Sequence, residues 1–89
     1  MAGHAADLHL HSTESDGDRT PAEVAGEAAS LGLRAFSLTD HDTIAGLAEA
    51  RQAADVAGIT FIPGVEVTMR FTREYCTGSL HLLVYFTRD

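Results

Sequence analysis

The chain has little cysteine, few basic residues and no long apolar run, and each shortage removes a class of protein. Cys76 is the only cysteine, so no internal disulfide can form and no cysteine pair can build a structural zinc finger. Its ordinary readings are a small buried hydrophobe or a free thiol, with metal ligation the rarer one. No apolar stretch approaches the length that spans a bilayer. Met1-Ala2-Gly3-His4-Ala5-Ala6 has neither the basic start nor the apolar stretch of a signal peptide, so no membrane partner is expected and the cytoplasm is the default location. His4 reads as part of a mobile terminus. Repeats and low-complexity tracts are also missing, which leaves 89 residues for one small domain with a modest core.

Six basic residues against thirteen acidic ones give a net charge of -7, which ordinarily argues against phosphate-rich partners. Bound divalent ions would weaken that argument, because they place positive charge where acidic ligands converge. Hydrophobic residues make up 45% of the chain and charged ones 21%, the balance of a globular protein rather than a disordered one.

The punctuation suggests strands alternating with helices. A first strand runs from Ala5 to His11, followed by the polar turn 12–19. Thr20-Pro21-Ala22-Glu23 then offers a capping threonine, a proline at the first helical position and a glutamate that can close a capping box. Val24, Ala28 and Leu31 recur at helical spacing, and Gly32 suits a left-handed stop. A second strand covers Ala35 to Leu38. A second helix is expected from Thr43 to Val56, with Ile44, Leu47, Ala48 and Ala54 near one face, Arg51 interrupting it and Gly58 closing it. Ile59 to Ile62 forms a third strand that Pro63-Gly64 breaks or bends before Val65-Glu66-Val67 resumes. Leu80 to Phe86 forms a fourth. This order predicts an α/β unit with a parallel sheet whose functional groups gather at the strand C-terminal ends, although the last two strands can also pair as a hairpin.

In Asp7-Leu8-His9-Leu10-His11-Ser12, residues two apart share a face, so His9 and His11 point one way together with Asp7, and Leu8 and Leu10 point toward a core. Asp40, His41 and Asp42 end the second strand, Glu66 lies late in the third, His81 sits in the fourth, and Asp16 lies in the first loop. Imidazole and carboxylate donors of this kind suit zinc, manganese or iron, and a carboxylate can bridge two ions. Each residue also has a plainer reading. His81 among leucines can be a core or surface residue, Asp42 can cap the second helix, and Asp16-Gly17 is an ordinary turn pair. Glu66 is harder to explain away, because a carboxylate within an apolar strand is costly to bury unless paired or metal-bound. Ser12 and Thr39 read as hydrogen-bonding hydroxyls, and Arg19 and Arg34 as surface charges that can also reach a phosphate.

Asp7-Leu8-His9-Leu10-His11-Ser12, Ser15-Asp16-Gly17, Thr39-Asp40-His41-Asp42 and Pro63-Gly64-Val65-Glu66, in this order and spacing, resemble the opening motifs of the PHP (polymerase and histidinol phosphatase) family, in particular its small stand-alone metal-dependent phosphoesterases. The resemblance runs from Asp7 to Phe86. It implies the N-terminal portion of a distorted (β/α)7 barrel that carries two or three divalent ions (Mn, Zn or Fe) and hydrolyses phosphate esters: small phosphomonoesters, nucleotides or short oligonucleotides. It further implies that His9 and His11 bind a first ion, that Glu66 bridges to a second bound by His81, and that Asp16 and His41 hold a third. Asp40 is expected to orient His41, and Asp7 to serve His9 or His11, from behind the ligands. The implied chemistry is attack by a metal-activated hydroxide, with no covalent nucleophile from the protein.

The family's later ligands, a downstream histidine and a closing Asp-x-His pair, have no counterpart after His81. Residues 1–89 are therefore expected to be the N-terminal part of a longer domain, with weak activity of their own. Completion of the site by a second copy, as a homo-oligomer, is the alternative. A non-catalytic metal-binding or interaction module, such as a structural PHP domain associated with a DNA polymerase, is the competing functional reading.

Overall fold

The computed structural model describes residues 5–73 and 76–86, and at 71–73, 76 and 77 the backbone alone. His4 and the Cys76 side chain lie outside the described residues. The elements in order are β1 (Ala6–Leu10), α1 (Pro21–Ser30), β2 (Ala35–Leu38), α2 (Leu47–Ala57), β3 (Thr60–Arg73) and β4 (Cys76–Tyr85).

Thr20 starts α1 by the expected reciprocal cap. Its hydroxyl accepts the Glu23 amide at 3.1 Å, and the Glu23 carboxylate accepts the Thr20 amide at 2.8 Å, an arrangement worth about 1 kcal/mol. Gly32, at φ 81°, takes the chain out of the helix. Leu31 becomes the C-cap and is 69% exposed, so it leaves the apolar face its spacing suggested.

The second helix begins four residues later than expected. Asp42 adopts φ 55° and its carboxylate accepts the Thr68 amide at 2.7 Å, so it cannot cap a helix. Thr43 closes a local turn onto the Ala45 amide instead. The helix starts after Gly46, where a Cβ would lie 2.8 Å from the Pro21 side chain and 3.1 Å from Leu38. Ile44 and Ala48 are consequently exposed, and Ala50 joins Ala54 in the buried stripe. Arg51, which seemed to interrupt that stripe, lays its guanidinium over the Phe61 ring at 5.3 Å, a cation–π contact.

One sheet runs in the order β1-β2-β3-β4. β1 pairs parallel with β2, and β2 parallel with the first residues of β3, up to Leu38 opposite Pro63. From Gly64 onward β3 pairs antiparallel with β4, Glu66 opposite Leu83 and Arg73 opposite Cys76. Pro63-Gly64 therefore does not break the strand. Proline's fixed φ is compatible with extended chain, and Pro63 sits where β3 exchanges one partner for another, so its missing N–H costs little.

Val24, Ala25 and Ala28 of α1 and Ala50 and Ala54 of α2 pack against Phe36, Leu38 and Phe61 of the sheet. Alanines on both helices allow close approach, and the Phe36 and Phe61 rings meet at 5.2 Å between centroids. Leu10 packs against this core, but Leu8 on the edge strand is 42% exposed, contrary to its expected burial. The sheet curls enough for the Tyr85 hydroxyl on β4 to donate to the Leu8 carbonyl on β1 at 2.6 Å. No helix among the described residues is long and apolar enough to cross a membrane.

Candidate metal centre

The curl brings the ends of β1 and β2 against the middle of the hairpin. His9 lies on β1, His11 immediately follows it, Asp16 lies in the next turn, His41 follows β2, and Glu66 and His81 come from β3 and β4. His41 forms an isolated parallel bridge with Glu66. Backbone bonds lace the two segments together: the Glu66 amide donates to the Asp40 carbonyl at 3.0 Å, and the Asp42 amide to the Glu66 carbonyl at 2.8 Å.

Glu66 is the hub. Its carboxylate is buried, and Oε1 accepts from His9 Nε2 and His11 Nε2, each at 2.8 Å, while Oε2 accepts from His81 Nδ1 at 2.9 Å. Burial alone would raise its pKa, but hydrogen bonds from His9, His81 and His11 and the field of His41 outweigh that and hold it at about 2. Asp16 bridges the other side, with Oδ1 2.7 Å from His11 Nδ1 and Oδ2 3.1 Å from His41 Nε2. Residual burial pushes the Asp16 pKa up, and His11 and His41 pull it below the usual range. The four imidazoles succeed one another at centroid separations of 5.1, 4.4 and 5.5 Å.

Three overlapping donor groups result: His9, His11 and Glu66; His11, Asp16 and His41; His41, Glu66 and His81. In each, the ligating atoms lie within 4.8 Å of one another. Two ligands of one ion with bonds of about 2.1 Å sit about 3.0 to 3.4 Å apart, close to the spacings found here. The all-nitrogen-and-oxygen donor set fits a first-row divalent ion or zinc. All six residues singled out as ligand candidates thus lie in one cluster.

The supporting residues differ from expectation. Asp40 does not orient His41: its oxygens are taken by the Ser12 amide, the Ser12 hydroxyl and the Ser15 hydroxyl at 2.6 to 2.8 Å. Asp7 serves His9 through the backbone, accepting its amide at 3.1 Å rather than a ring nitrogen. Thr39 donates to the Leu10 carbonyl at 3.3 Å. Arg19 pairs with Glu27 at 3.1 Å and Arg34 is exposed. Two contributors escaped the sequence reading, Asp42 as a tie to β3 and Tyr85 as a tie to β1. A carboxylate before a helical pattern reads as a cap, and a tyrosine in an apolar strand reads as packing, so neither announced itself.

A family profile described as PHP domain matches residues 7–87. A 3',5'-nucleoside bisphosphate phosphatase of Chromobacterium violaceum is 51% identical over 67 residues, 75% of this chain and 24% of that protein. A 5'-3' exoribonuclease of Haemophilus influenzae is 50% identical over 62 residues, 70% of this chain and 23% of its own length. Among solved structures, a candidate metal-dependent phosphoesterase from Bifidobacterium adolescentis superposes with a TM-score of 0.80 at 35% identity, over 92% of this chain and 27% of that one. The chain spans about a quarter of the length of these relatives.

Proposed function

We propose, because the chain belongs to the PHP domain family, that its histidine and carboxylate cluster is the opening part of a phosphoesterase centre. His9 and His11 with Glu66 would hold one ion, Glu66 would bridge to a second held by His81, and Asp16 and His41 would hold a third. Manganese, zinc and iron are the candidates. Such ions supply Lewis acidity, lowering the pKa of water and neutralising charge on a phosphoryl group.

The chain's own residues prepare that chemistry. Glu66 offers its two oxygens to different imidazole groups, the disposition a bridging carboxylate needs. Its depressed pKa keeps it ionised throughout the neutral range. The hydroxyls nearest the cluster are committed elsewhere, Ser12 to Asp40 and Thr39 to Leu10, which leaves water as the nucleophile. A net charge of -7 makes cations in this cluster the natural docking point for a phosphate ester, whether a small monoester, a nucleotide or a short oligonucleotide. Residues 1–89 form the N-terminal part of that domain.

The buried Glu66 carboxylate, hydrogen-bonded by three imidazoles with a fourth 3.9 Å away, carries this reading. With added manganese, the chain should hydrolyse p-nitrophenyl phosphate slowly, and Glu66→Ala should lower turnover by at least about tenfold. Undiminished turnover in Glu66→Ala would remove Glu66 from the bridging role. Manganese binding without hydrolysis would favour the non-catalytic module.

A further inference from the structure

Asp16 is the most exposed member of the cluster, with 60% of its side chain accessible, and an exposed carboxylate on a turn does not ordinarily hold one position. The turn beneath it is built to hold one. The Ser12 carbonyl accepts the amides of Ser15 at 3.0 Å and Gly17 at 2.9 Å, and the Thr13 amide donates to the Arg19 carbonyl at 2.8 Å. The Glu14 amide donates to the Ser12 hydroxyl at 3.2 Å. Gly17 folds so closely onto the end of β1 that a Cβ there would lie 2.5 Å from the His11 carbonyl oxygen.

Asp40 lies under this turn at 2% exposure. Oδ1 accepts the Ser12 amide at 2.6 Å and the Ser15 hydroxyl at 2.8 Å, and Oδ2 accepts the Ser12 hydroxyl at 2.7 Å. Among the described residues no cation pairs with it, so three donors from one turn offset the cost of burying it. Its main chain faces the other way, accepting the Glu66 amide at 3.0 Å. One residue therefore joins the turn that presents Asp16 to the strand that presents Glu66.

We infer that Asp40 is a positioning residue that sets Asp16 against His11 and His41 through the Ser12–Gly17 turn, and so tunes one ion site of the cluster selectively. The inference rests on the metal-binding reading above. An asparagine at position 40 keeps the shape but offers one acceptor oxygen, and its NH2 faces donors. The turn then loosens, and Asp16 with it.

Manganese isotherms of the 89-residue chain, followed by electron paramagnetic resonance, test this. Asp40→Asn should weaken one class of site by about tenfold or more, the size typical of losing a partner behind a ligand, and leave the other sites within about threefold. Asp16→Ala should weaken the same class, and the double variant should be no weaker than Asp16→Ala alone, because Asp40 acts through Asp16. Ser12→Ala removes the donor to Asp40 Oδ2 without removing a contact to Asp16 and should shift the same class by a smaller factor, which provides a reading if Asp40→Asn fails to fold. Additive losses in the double variant, or equal weakening of every site, would overturn the inference. A wild-type chain that binds no manganese would instead overturn the metal-binding reading itself.

Discussion

The half of the molecule backed by helices and the half made by the β3–β4 hairpin are built differently, although both supply the cluster. Under the helices, Phe36, Leu38, Ala25, Ala50 and Ala54 are fully buried. On the hairpin, Met69, Leu80, Leu82, Leu83, Val84, Tyr85 and Phe86 are between 36% and 58% exposed. His9, His11, Asp16 and His41 thus come from a packed framework, whereas Glu66 and His81 come from a strand pair tied to it by the main-chain bonds at Glu66, the Asp42 carboxylate and the Tyr85 hydroxyl. Polar ties do for the hairpin what apolar packing does for the helices. They are also directional, which is what positions Glu66 against His9 and His11.

The sharpest way to break this contrast is to delete a large side chain on each side. Phe36→Ala should cost about 3 to 5 kcal/mol in denaturant unfolding, and Leu82→Ala no more than about 1 kcal/mol. Equal costs would show the hairpin to be as tightly packed as the helical half. Acid should act on the junction next. The Glu66 pKa in the folded chain is about 2 against an ordinary 4.5, so its contribution to stability is fully present above about pH 4.5. It is lost as the pH falls toward 2, because protons then bind the unfolded chain first. In Glu66→Gln the acid limb of a melting-temperature profile should flatten in that window, and an unchanged limb would deny the hub its electrostatic role. A smaller effect is expected at the tie. Asp42→Asn tolerates the left-handed backbone but weakens the bond to the Thr68 amide by about 1 kcal/mol. Amide exchange should then speed up along the hairpin and not in α1.

Much of this was legible in the sequence. The capping box at Thr20, the stop at Gly58 and the alternation of strands and helices follow local rules that tertiary contacts did not override. His9, His11 and Glu66 were legible because a carboxylate in an apolar strand and two imidazoles on one strand face need partners, whereas Asp16, His41 and His81 were singled out as ligands by the resemblance to the PHP family. The late start of α2 was not, because Asp42 is claimed by Thr68, 26 residues away. Leu8 was misjudged because alternation gives a residue's face but not how far the helices reach across it. The target of Asp40 was hidden for the same reason: its neighbour in sequence is a histidine, while its partners come from the turn after β1.

The central claim is that these side chains form one metal centre, and elemental analysis of the purified chain beside a His9→Ala, His11→Ala double variant tests it most directly. Wild-type protein should carry at least about one equivalent of manganese, zinc or iron, and the double variant should lose most of it. A wild-type chain free of metal, or equal metal content in both proteins, would contradict it.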